Sequence, residues 1–297
     1  MKLPYRYALA TSLLFSGSYI AGKYTMADLD PLTATLFRYV VALVFLLALL
    51  PAQSGQSLRI ERRHLIAVLG LGLTGIVGYQ YFFFLSLHHT AIANTAIINA
   101  LSPALTGVAA AMFLRERLNR TTYLGIATAV VGVLALLTNA QPLRLVELSF
   151  NRGDLSMIAA VLCFMVYALL IKTLVDRYSG YLLTLYATSF GVMWLLLIVP
   201  LGELPARLAT MSTSSVIAIL YMGIAGSGLG YLTFNLSVKS LGATRTSSLV
   251  YSIIPIVVAA LAYLFFAEPV TLAMLLSTVL ILVGLKLIVS RGAGSQA

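Results

Sequence analysis

Charged residues and cysteine are scarce in this sequence of 297 residues. Only 9% of the residues are charged and 60% are hydrophobic, whereas a soluble domain is typically about one quarter charged. Water therefore cannot be the main solvent for the surface of such a chain. The one cysteine, Cys163, lies inside a long apolar run, which excludes a disulfide framework and a cysteine-based metal cluster. The composition indicates an integral membrane protein.

Acidic residues are also few, with nine Asp and Glu against 19 Lys and Arg. An enzyme needs a cluster of acid, base, nucleophilic or metal-ligating side chains. The apolar runs contain no such group of His, Asp or Glu, and the connections between them are too short to hold one. We therefore predict that the protein is not an enzyme, and we expect neither a cofactor nor a metal ion.

What the sequence does contain is a series of long apolar runs. A helix needs about 20 apolar residues to cross the hydrocarbon core of a bilayer, and helices satisfy their own backbone groups in lipid. The sequence therefore predicts ten transmembrane helices, near residues 5–25, 32–51, 64–87, 91–114, 121–139, 153–173, 180–201, 213–237, 243–266 and 270–290.

An internal repeat divides these helices into two sets of five. Five landmarks recur at a spacing of 152, namely Gly78 and Gly230, Tyr79 and Tyr231, Pro103 and Pro255, Glu116 and Glu268, and Gly132 and Gly284. Four earlier pairs, including Phe15 and Phe164, recur at a spacing of 149. We predict a first repeat over 1–139, an external connecting loop over 140–152 and a second repeat over 153–297. Because five is odd, the second repeat enters the membrane from the opposite side, so the fold is an all-α bundle of two inverted repeats. Repeats of this kind are typical of transporters with a site between the halves.

The basic residues predict the orientation. With a cytoplasmic N-terminus, 14 Lys and Arg face the cytoplasm and four face outward, with Arg38 inside a helix. This bias follows the positive-inside rule and accounts for the net charge of +10 without a nucleic-acid partner. We expect a multi-pass protein of the cell (inner) membrane, embedded in the lipid bilayer, with both termini cytoplasmic. A cleaved signal peptide is the competing interpretation of residues 2–22, but this helix has a counterpart at 153–173.

Several of the repeated segments resemble those of a known family. The segment from Phe15 to Lys23 resembles the first-helix pattern of EamA-type members of the drug/metabolite transporter superfamily. Arg38 followed by Tyr39 is similar to their second-helix pattern of Arg and an aromatic residue, and the segments 103–116 and 255–268 match their Pro-to-Glu segments. The resemblance covers essentially the whole chain. It implies a ten-helix carrier with a central cavity, which moves small metabolites and often exports them. One departure is that Phe15 and Phe164 stand where the family often has Trp.

The two repeated prolines predict where a binding site lies. A proline inside a helix removes one hydrogen bond and displaces the carbonyl group four residues earlier, here that of Asn99 for Pro103 and of Tyr251 for Pro255. Such helix breaks at membrane depth are tolerated where protein or a wet cavity supplies a partner. We therefore predict that Asn99 and Tyr251 face one cavity from opposite halves. The alternative is a kink needed for packing, with Asn99 bonded to a neighbouring helix.

Other candidate substrate-binding residues follow from the four-residue spacing that places side chains on one helix face. They are Tyr79 and Phe83, and Tyr231 and Asn235. The corresponding pair on the first and sixth helices is Ser18 and Tyr167, one turn from Phe15 and Phe164. Together they predict an aromatic cavity with a few hydroxyl and amide groups, as is usual for a small-molecule site. The alternative for each is packing within the bundle.

Arg38 is the basic residue that lies clearly inside an apolar run, about 10 Å along its helix from Pro31. A charge within the membrane is a functional hypothesis by default, and Arg38 could bind a substrate carboxylate. In the competing interpretation, which the sequence slightly favours, its side chain extends outward to Asp28 or Asp30 and is structural.

The sequence thus predicts a membrane transporter that exports small amphipathic metabolites, such as amino acids, by alternating access. The alternatives are a channel or a multidrug-type efflux carrier with another class of substrate. We expect a small-molecule substrate and a monomer, with a dimer as the alternative. No carboxylate is expected well inside a helix, so proton coupling, exchange and facilitated diffusion stay open. The glycines of the third and eighth helices are expected to serve packing between the halves, or their rocking motion, rather than dimer formation.

Overall fold

The fold is a bundle of helices, seen in a computed structural model that describes residues 3–53, 59–113, 119–139, 141, 151–241 and 243–289. Most of the predicted loop over 140–152, and Glu116, lie outside the described residues. Within the described ranges the chain forms no strand and has ten long helices: α1 (Leu3–Thr25), α2 (Pro31–Ala48), α3 (Arg62–His89), α4 (Ile92–Phe113), α5 (Arg120–Leu137), α6 (Arg152–Leu174), α7 (Gly180–Ile198), α8 (Thr213–Leu241), α9 (Ala243–Phe266) and α10 (Leu272–Val289).

Eight of the described helices, α2 to α9, are long and apolar enough to cross a membrane. The helix α10 has a shorter apolar segment, Leu272–Ile288. The helix α1 has 23 residues but carries Arg6, Lys23 and several serines, which make it less apolar. The prediction of a helical membrane protein is confirmed, and each predicted run overlaps one helix.

The second helix of each repeat begins at a capped N-terminus in the same relative position. Asp30 accepts hydrogen bonds from the backbone N–H groups of Leu32 and Thr33 at the start of α2, over 3.0 and 3.1 Å. Ser179, 149 positions later, accepts one from the N–H of Leu182 at the start of α7, over 3.2 Å. A side-chain oxygen here satisfies N–H groups that have no partner within the helix. These caps set the turns α1–α2 and α6–α7.

The two repeats pack against each other reciprocally. Helix α1 of the first repeat packs on α8 and α9, and helix α6 of the second packs on α3 and α4. Likewise α2 packs on α8 while α7 packs on α3, and α5 pairs with α10. Each contact therefore has a counterpart with the halves exchanged, as an inverted repeat requires. The centre of the molecule lies between α1, α3 and α4 of one half and α6, α8 and α9 of the other.

Glycine allows two helix backbones to approach closely at the crossing of α5 and α10. A Cβ atom added to Gly284 would lie 2.5 Å from the carbonyl oxygen of Gly125, and one added to Gly125 would lie 2.6 Å from the carbonyl oxygen of Gly284. No side chain fits at either position, because the obstacle is backbone. The pair holds the last helix of one repeat against the last helix of the other.

Both α3 and α8 contain a π-helical segment in their middle, at Gly72–Gly78 and Met222–Leu229. Glycines line these segments where another helix passes. Gly72 lies against Gly191 of α7, and Gly223 lies against Val41 of α2. These two glycines therefore pack between the halves, and their role in a rocking motion stays a prediction. A π segment widens the helix by one residue and is frequent at functional sites.

The fourth helix of the first repeat is broken near its proline, as predicted. The helix α4 runs over Ile92–Asn99, turns at Ala100 and Leu101, and resumes over Ser102–Phe113. The prediction of a break at Pro255 is wrong, because α9 continues through it from Ala243 to Phe266. Side chains explain the difference. Ser102 donates a hydrogen bond to Asn99 Oδ1 over 3.0 Å and so bridges the break, whereas the residues 152 positions later are Ile254 and Tyr251. Polar side chains of this type compete with helical bonds.

Candidate substrate-binding cavity

A small cavity of about 50 Å³ lies between the two halves. Its lining residues come from both repeats and are Phe15, Ser18, Tyr19, Arg38, Tyr79, Gln80, Phe83, Asn99, Phe164, Tyr231, Tyr251 and Ile254. Seven of them carry a ring and four others are polar or charged. A site for one water needs about 10–15 Å³, so the cavity in this conformation is large enough for only a few water molecules.

Seven of the nine predicted binding residues line this cavity: Ser18, Arg38, Tyr79, Phe83, Asn99, Tyr231 and Tyr251. Tyr167 does not. Its ring stacks on that of Phe164 with centroids 5.7 Å apart and packs over Gly75 of α3, because the glycine leaves room there. Asn235 lies on α8, and its side chain is outside the described part of the chain. The role of these residues in binding stays a prediction.

Arg38 is held at the cavity by neutral groups from both halves. Its side chain donates from Nε to Ser227 Oγ over 3.0 Å and from Nη1 to Gln80 Oε1 over 3.0 Å. Nη1 also lies 3.9 Å from the sulfur of Met222. Gln80 in turn donates to the Tyr39 hydroxyl over 3.0 Å, which fixes the orientation of its amide. Ser227 and Met222 belong to the π segment of α8, and Gln80 follows that of α3. The π segment of α8 and the turn that follows the π segment of α3 therefore position one cation.

The positive charge of Arg38 has no carboxylate partner among the described residues, although Arg38 is only 5% exposed. Its Nη2 makes no hydrogen bond with any described group and lies 3.6 Å from the position of a Cβ atom on Gly226. A buried charge is costly unless it is paired and hydrogen-bonded. The site thus offers an unneutralised guanidinium next to space left by a glycine.

The structural interpretation of Arg38 as a partner of Asp28 or Asp30 is wrong. Asp30 forms an ion pair with Arg207, and Asp28 accepts hydrogen bonds from the hydroxyl and the backbone N–H of Ser212. The Ser212 hydroxyl is the main reason that the pKa of Asp28 lies below its ordinary value. Both carboxylates are therefore occupied at the end of the bundle, away from Arg38.

Asn99 is bonded on both sides of its amide. Its Nδ2 donates to the Tyr19 hydroxyl over 2.6 Å, and its Oδ1 accepts from Ser102. The predicted alternatives thus both occur, because Asn99 lines the cavity and is bonded to a neighbouring helix. In contrast, the hydroxyl groups of Tyr231 and Tyr251 make no hydrogen bond with any described residue, although both rings line the cavity. These two phenols are available to a ligand.

Five lining residues are not among the nine that the sequence predicted, namely Phe15, Tyr19, Gln80, Phe164 and Ile254. Gln80 was detectable, since an amide inside an apolar run needs a hydrogen-bond partner and Arg38 needs an acceptor. Tyr19 stacks edge-on against Phe83 with centroids 5.0 Å apart, and nothing in its spacing distinguishes it from a packing residue. Ile254 is neither polar nor aromatic, so nothing in the sequence distinguishes it from the other apolar residues of its helix.

One end of the bundle, here named the upper end, is closed by polar contacts between the halves. The Thr90 hydroxyl donates to Asp154 over 2.6 Å, and Asp28 binds Ser212. Glu268 accepts from the backbone N–H of Ile92 over 2.9 Å and so caps α4, rather than the following helix α10 as its sequence position suggests. Every one of these contacts joins a residue of the first repeat to one of the second.

The opposite, lower end is joined differently. The Tyr178 hydroxyl, at the turn between α6 and α7, lies 2.8 Å from Nδ1 of His64 and accepts from the N–H of Glu61 over 3.2 Å. The Tyr181 hydroxyl donates to the carbonyl oxygen of Leu46 over 2.6 Å. A wide cavity of about 670 Å³ at this end lies among the connecting segments and shares no lining residue with the central cavity. Across the described residues, no three His, Cys, Asp or Glu side chains come together as a metal site.

Comparison with known proteins identifies the architecture. The model of the EamA-like transporter family matches residues 3–138 and again residues 151–290. The chain is 27% identical over 276 residues to the uncharacterized transporter YyaM of Bacillus subtilis, covering 93% of this chain and 90% of that one. It is 25% identical over 225 residues to a probable terminal-alkyne amino-acid exporter of Streptantibioticus cattleyicolor, covering 76% and 73%.

A solved crystal structure has the same fold, with a TM-score of 0.60, 20% sequence identity and coverage of 96% of both chains. The family model covers nearly the whole chain as two successive matches, in agreement with the reciprocal packing of two five-helix repeats around a cavity. The protein belongs to the EamA-like transporter family and is a multi-pass membrane transporter.

Proposed function

We propose that this protein exports small amphipathic metabolites that carry a carboxylate, such as amino acids, and that Arg38 binds that carboxylate. The observation that carries the proposal is the guanidinium of Arg38, which lines the central cavity without a carboxylate partner among the described residues. Guanidinium binds carboxylate through two parallel hydrogen bonds. The unbonded Nη2 supplies donors for this contact.

The remaining lining suits the other parts of such a substrate. Aromatic rings from both halves, including Phe15, Phe83 and Phe164, form walls for an apolar side chain. The hydroxyl groups of Tyr231 and Tyr251 can accept from an ammonium group. A phosphate ester would need several basic residues to replace its hydration. Among the lining residues of the described cavity, Arg38 is the single basic residue, so a phosphate ester fits this site poorly. The relative named as a probable amino-acid exporter supports the same class of substrate.

We further propose transport by alternating access. Ligand sites are typically about 300–1,000 Å³ in volume, whereas this cavity measures about 50 Å³. A substrate therefore enters only when the halves move apart at one end of the bundle. Contacts between the halves close the upper end at Asp154 and the lower end at Tyr178. Opening either end requires breaking the contacts at that end.

The positive-inside rule supports an orientation with the lower end in the cytoplasm. Arg59, Arg62, Arg63 and Arg177 lie at that end, and the upper end, with Asp28 and Asp154, then faces outward. Both termini are cytoplasmic in this orientation, the protein lies in the cell (inner) membrane, and it acts as a monomer. In a Cys163→Ala background, a cysteine at position 60 should resist an impermeant reagent added outside, and labelling there would reverse the orientation.

The substrate proposal is tested in proteoliposomes that contain the purified protein. Efflux of a panel of radiolabelled amino acids is compared with efflux of the corresponding amides. The Arg38→Lys variant keeps the charge but loses the two-pronged geometry. We expect it to lower efflux of the acids by about tenfold or more, equivalent to about 1.4 kcal/mol, with a smaller effect on the amides.

The matched control is Arg120→Lys, which alters an exposed arginine at the start of α5, away from the cavity. It should leave efflux unchanged. An equal loss for acids and amides in Arg38→Lys, with a lower melting temperature in detergent, would show that Arg38 is structural. Absence of amino-acid efflux by the wild-type protein would overturn the proposed substrate class.

A further inference from the structure

Asp154 is a buried carboxylate that the proposed substrate site does not use. It lies in the first turn of α6, at the upper end of the bundle, and is only 4% exposed. No Lys, Arg or His among the described residues forms an ion pair with it. An ionised carboxylate buried without a cation is strongly disfavoured in an apolar environment. The surroundings of Asp154 must therefore accommodate a neutral form as well as a charged one.

The hydrogen bonds around Asp154 are incomplete in a way that a proton would complete. Thr90 donates to Oδ1 over 2.6 Å, and Asn94 Nδ2 lies 3.4 Å from the same oxygen. The amide oxygen of Asn94 is buried and has no donor among the described residues. A carboxylate can only accept hydrogen bonds, whereas a protonated carboxyl also donates one. The acceptor that lacks a partner thus belongs to a side chain whose amide nitrogen already contacts this carboxyl group.

The position of Asp154 links its protonation to the contact between the halves. Thr90 and Asn94 belong to the turn before α4 and to α4 itself, in the first repeat, while Asp154 opens the second repeat. Gly153 permits the close approach, since a Cβ atom added there would lie 2.7 Å from Thr90 Cβ. Opening the upper end would admit water to this junction. Water stabilises the ionised form, so the neutral form favours the closed junction.

Each element that packs against this junction carries other ionisable groups. Lys23 of α1 donates to the carbonyl oxygens of Leu87 and Thr90. His88 and His89 end α3 with exposed side chains, Glu268 caps α4 and is half-buried, and Arg152 is exposed on α6. Of the carboxylates in this group, Asp154 is the buried one.

We propose that Asp154 is a proton-binding site, and that its protonation favours the closed upper end, so that transport depends on the pH on that side of the membrane. The second part rests on the proposed transport function, while the first can be measured without substrate. The proton passes from water to Asp154 Oδ2 and then donates a hydrogen bond to Asn94 Oδ1. Deprotonation returns it to the water that enters as the junction opens.

Infrared spectroscopy tests the first part directly. The full-length protein in lipid nanodiscs is titrated near neutral pH, and the C=O stretch of a protonated carboxyl group is followed. We expect such a band in the wild-type protein and in Glu268→Gln, the matched control, and its loss in Asp154→Asn. In Asn94→Ala the band should persist but shift, because its hydrogen-bond acceptor is gone. Absence of the band in the wild type, or its persistence in Asp154→Asn, would overturn the proposal.

Transport measurements test the second part. In proteoliposomes with a fixed internal pH, the efflux rate of the wild type should change with external pH by up to about tenfold per unit, the limit for one linked proton. The change should be lost in Asp154→Asn and kept in His89→Gln. Loss in His89→Gln with retention in Asp154→Asn would assign the pH dependence to the histidine. If no substrate is transported at any pH while the infrared band is present, the substrate proposal fails and the proton site stands.

Discussion

The two repeats have similar backbones but contribute different chemistry to the cavity. At three related positions the first repeat has a polar side chain and the second an apolar or aromatic one: Arg38 and Ala187, Gln80 and Leu232, and Asn99 and Tyr251. The first repeat therefore lines the cavity with the charge, the amides and four rings, whereas the second lines it with three rings and Ile254. A duplicated fold needs its symmetry for motion, because the same packing must form at either end. Its site does not need symmetry, and an asymmetric site holds a substrate in one orientation.

The largest expected effect comes from replacing Gln80 with leucine, the residue that the second repeat has at the related position 232. In Gln80→Leu, Nη1 of Arg38 loses its oxygen acceptor, and a charged donor is left buried beside Met222. Leaving such a group unsatisfied costs about 1–3 kcal/mol, so we expect a lower melting temperature in detergent and a loss of efflux of about tenfold or more.

A second variant at this position separates stability from charge. Gln80→Glu keeps an oxygen acceptor for Arg38 and neutralises the guanidinium. We expect its thermal stability to stay near that of the wild type, while efflux of carboxylate substrates falls. Normal efflux in Gln80→Glu would mean that the positive charge of Arg38 does not attract the substrate, and the contrast between the two halves would lose its functional meaning.

An intermediate effect is expected from Asn99→Ala, compared with Tyr251→Phe. Asn99 makes two hydrogen bonds and bridges the break in α4, whereas the Tyr251 hydroxyl has no partner among the described residues. Asn99→Ala should lower the free energy of unfolding by about 1–2 kcal/mol. Tyr251→Phe should leave it within about 0.5 kcal/mol, while both variants lower efflux. Equal loss of stability in the two variants would contradict the assigned asymmetry of α4 and α9.

The features that the sequence predicted share a periodic or repeated signal. Apolar runs predicted the helices, because bilayer thickness sets their length. The spacings of 149 and 152 predicted related halves, because a duplication keeps residues in register. The pair of prolines predicted two breaks but only one occurs. Proline removes the same hydrogen bond in both helices, and the outcome depends on whether side chains such as Asn99 and Ser102 bridge the gap. Whether such a bridge forms depends on the side chains that surround the helix in the fold, and the sequence of a single helix does not specify them.

The partners of Arg38 could not be predicted for a related reason. Ser227 and Met222 reach it from a π segment, and one extra residue per turn rotates every later side chain relative to a regular helix. An ordinary helical projection of α8 therefore misplaces them. The sequence does not mark Asp154 as a buried group, because it stands near the start of its helix, where a carboxylate ordinarily interacts favourably with the helix dipole and is solvated. Its burial results from the close approach at Gly153.

The smallest expected effect concerns the helix caps, where the first repeat again has the ionisable group. Burial opposes ionisation of Asp30, but hydrogen bonds from Thr33 and Leu32 and the charge of Arg207 keep its pKa below its ordinary value. A pKa lowered by folding gives stability above the unfolded value, about 3.9, and that stability is lost as the pH falls through the lower folded value. The Ser179 cap of α7 does not titrate.

Hydrogen exchange at the starts of α2 and α7 measures this difference. Below about pH 4, protection at residues 31–34 should fall relative to residues 180–183, by no more than the value of a cap, about 1 kcal/mol. In Asp30→Ser, which gives α2 the cap that α7 uses, the acid sensitivity should disappear while most of the protection at neutral pH remains. Parallel loss at both helices in the wild type would instead place the acid-sensitive group elsewhere, since Asp30 touches α2 and not α7.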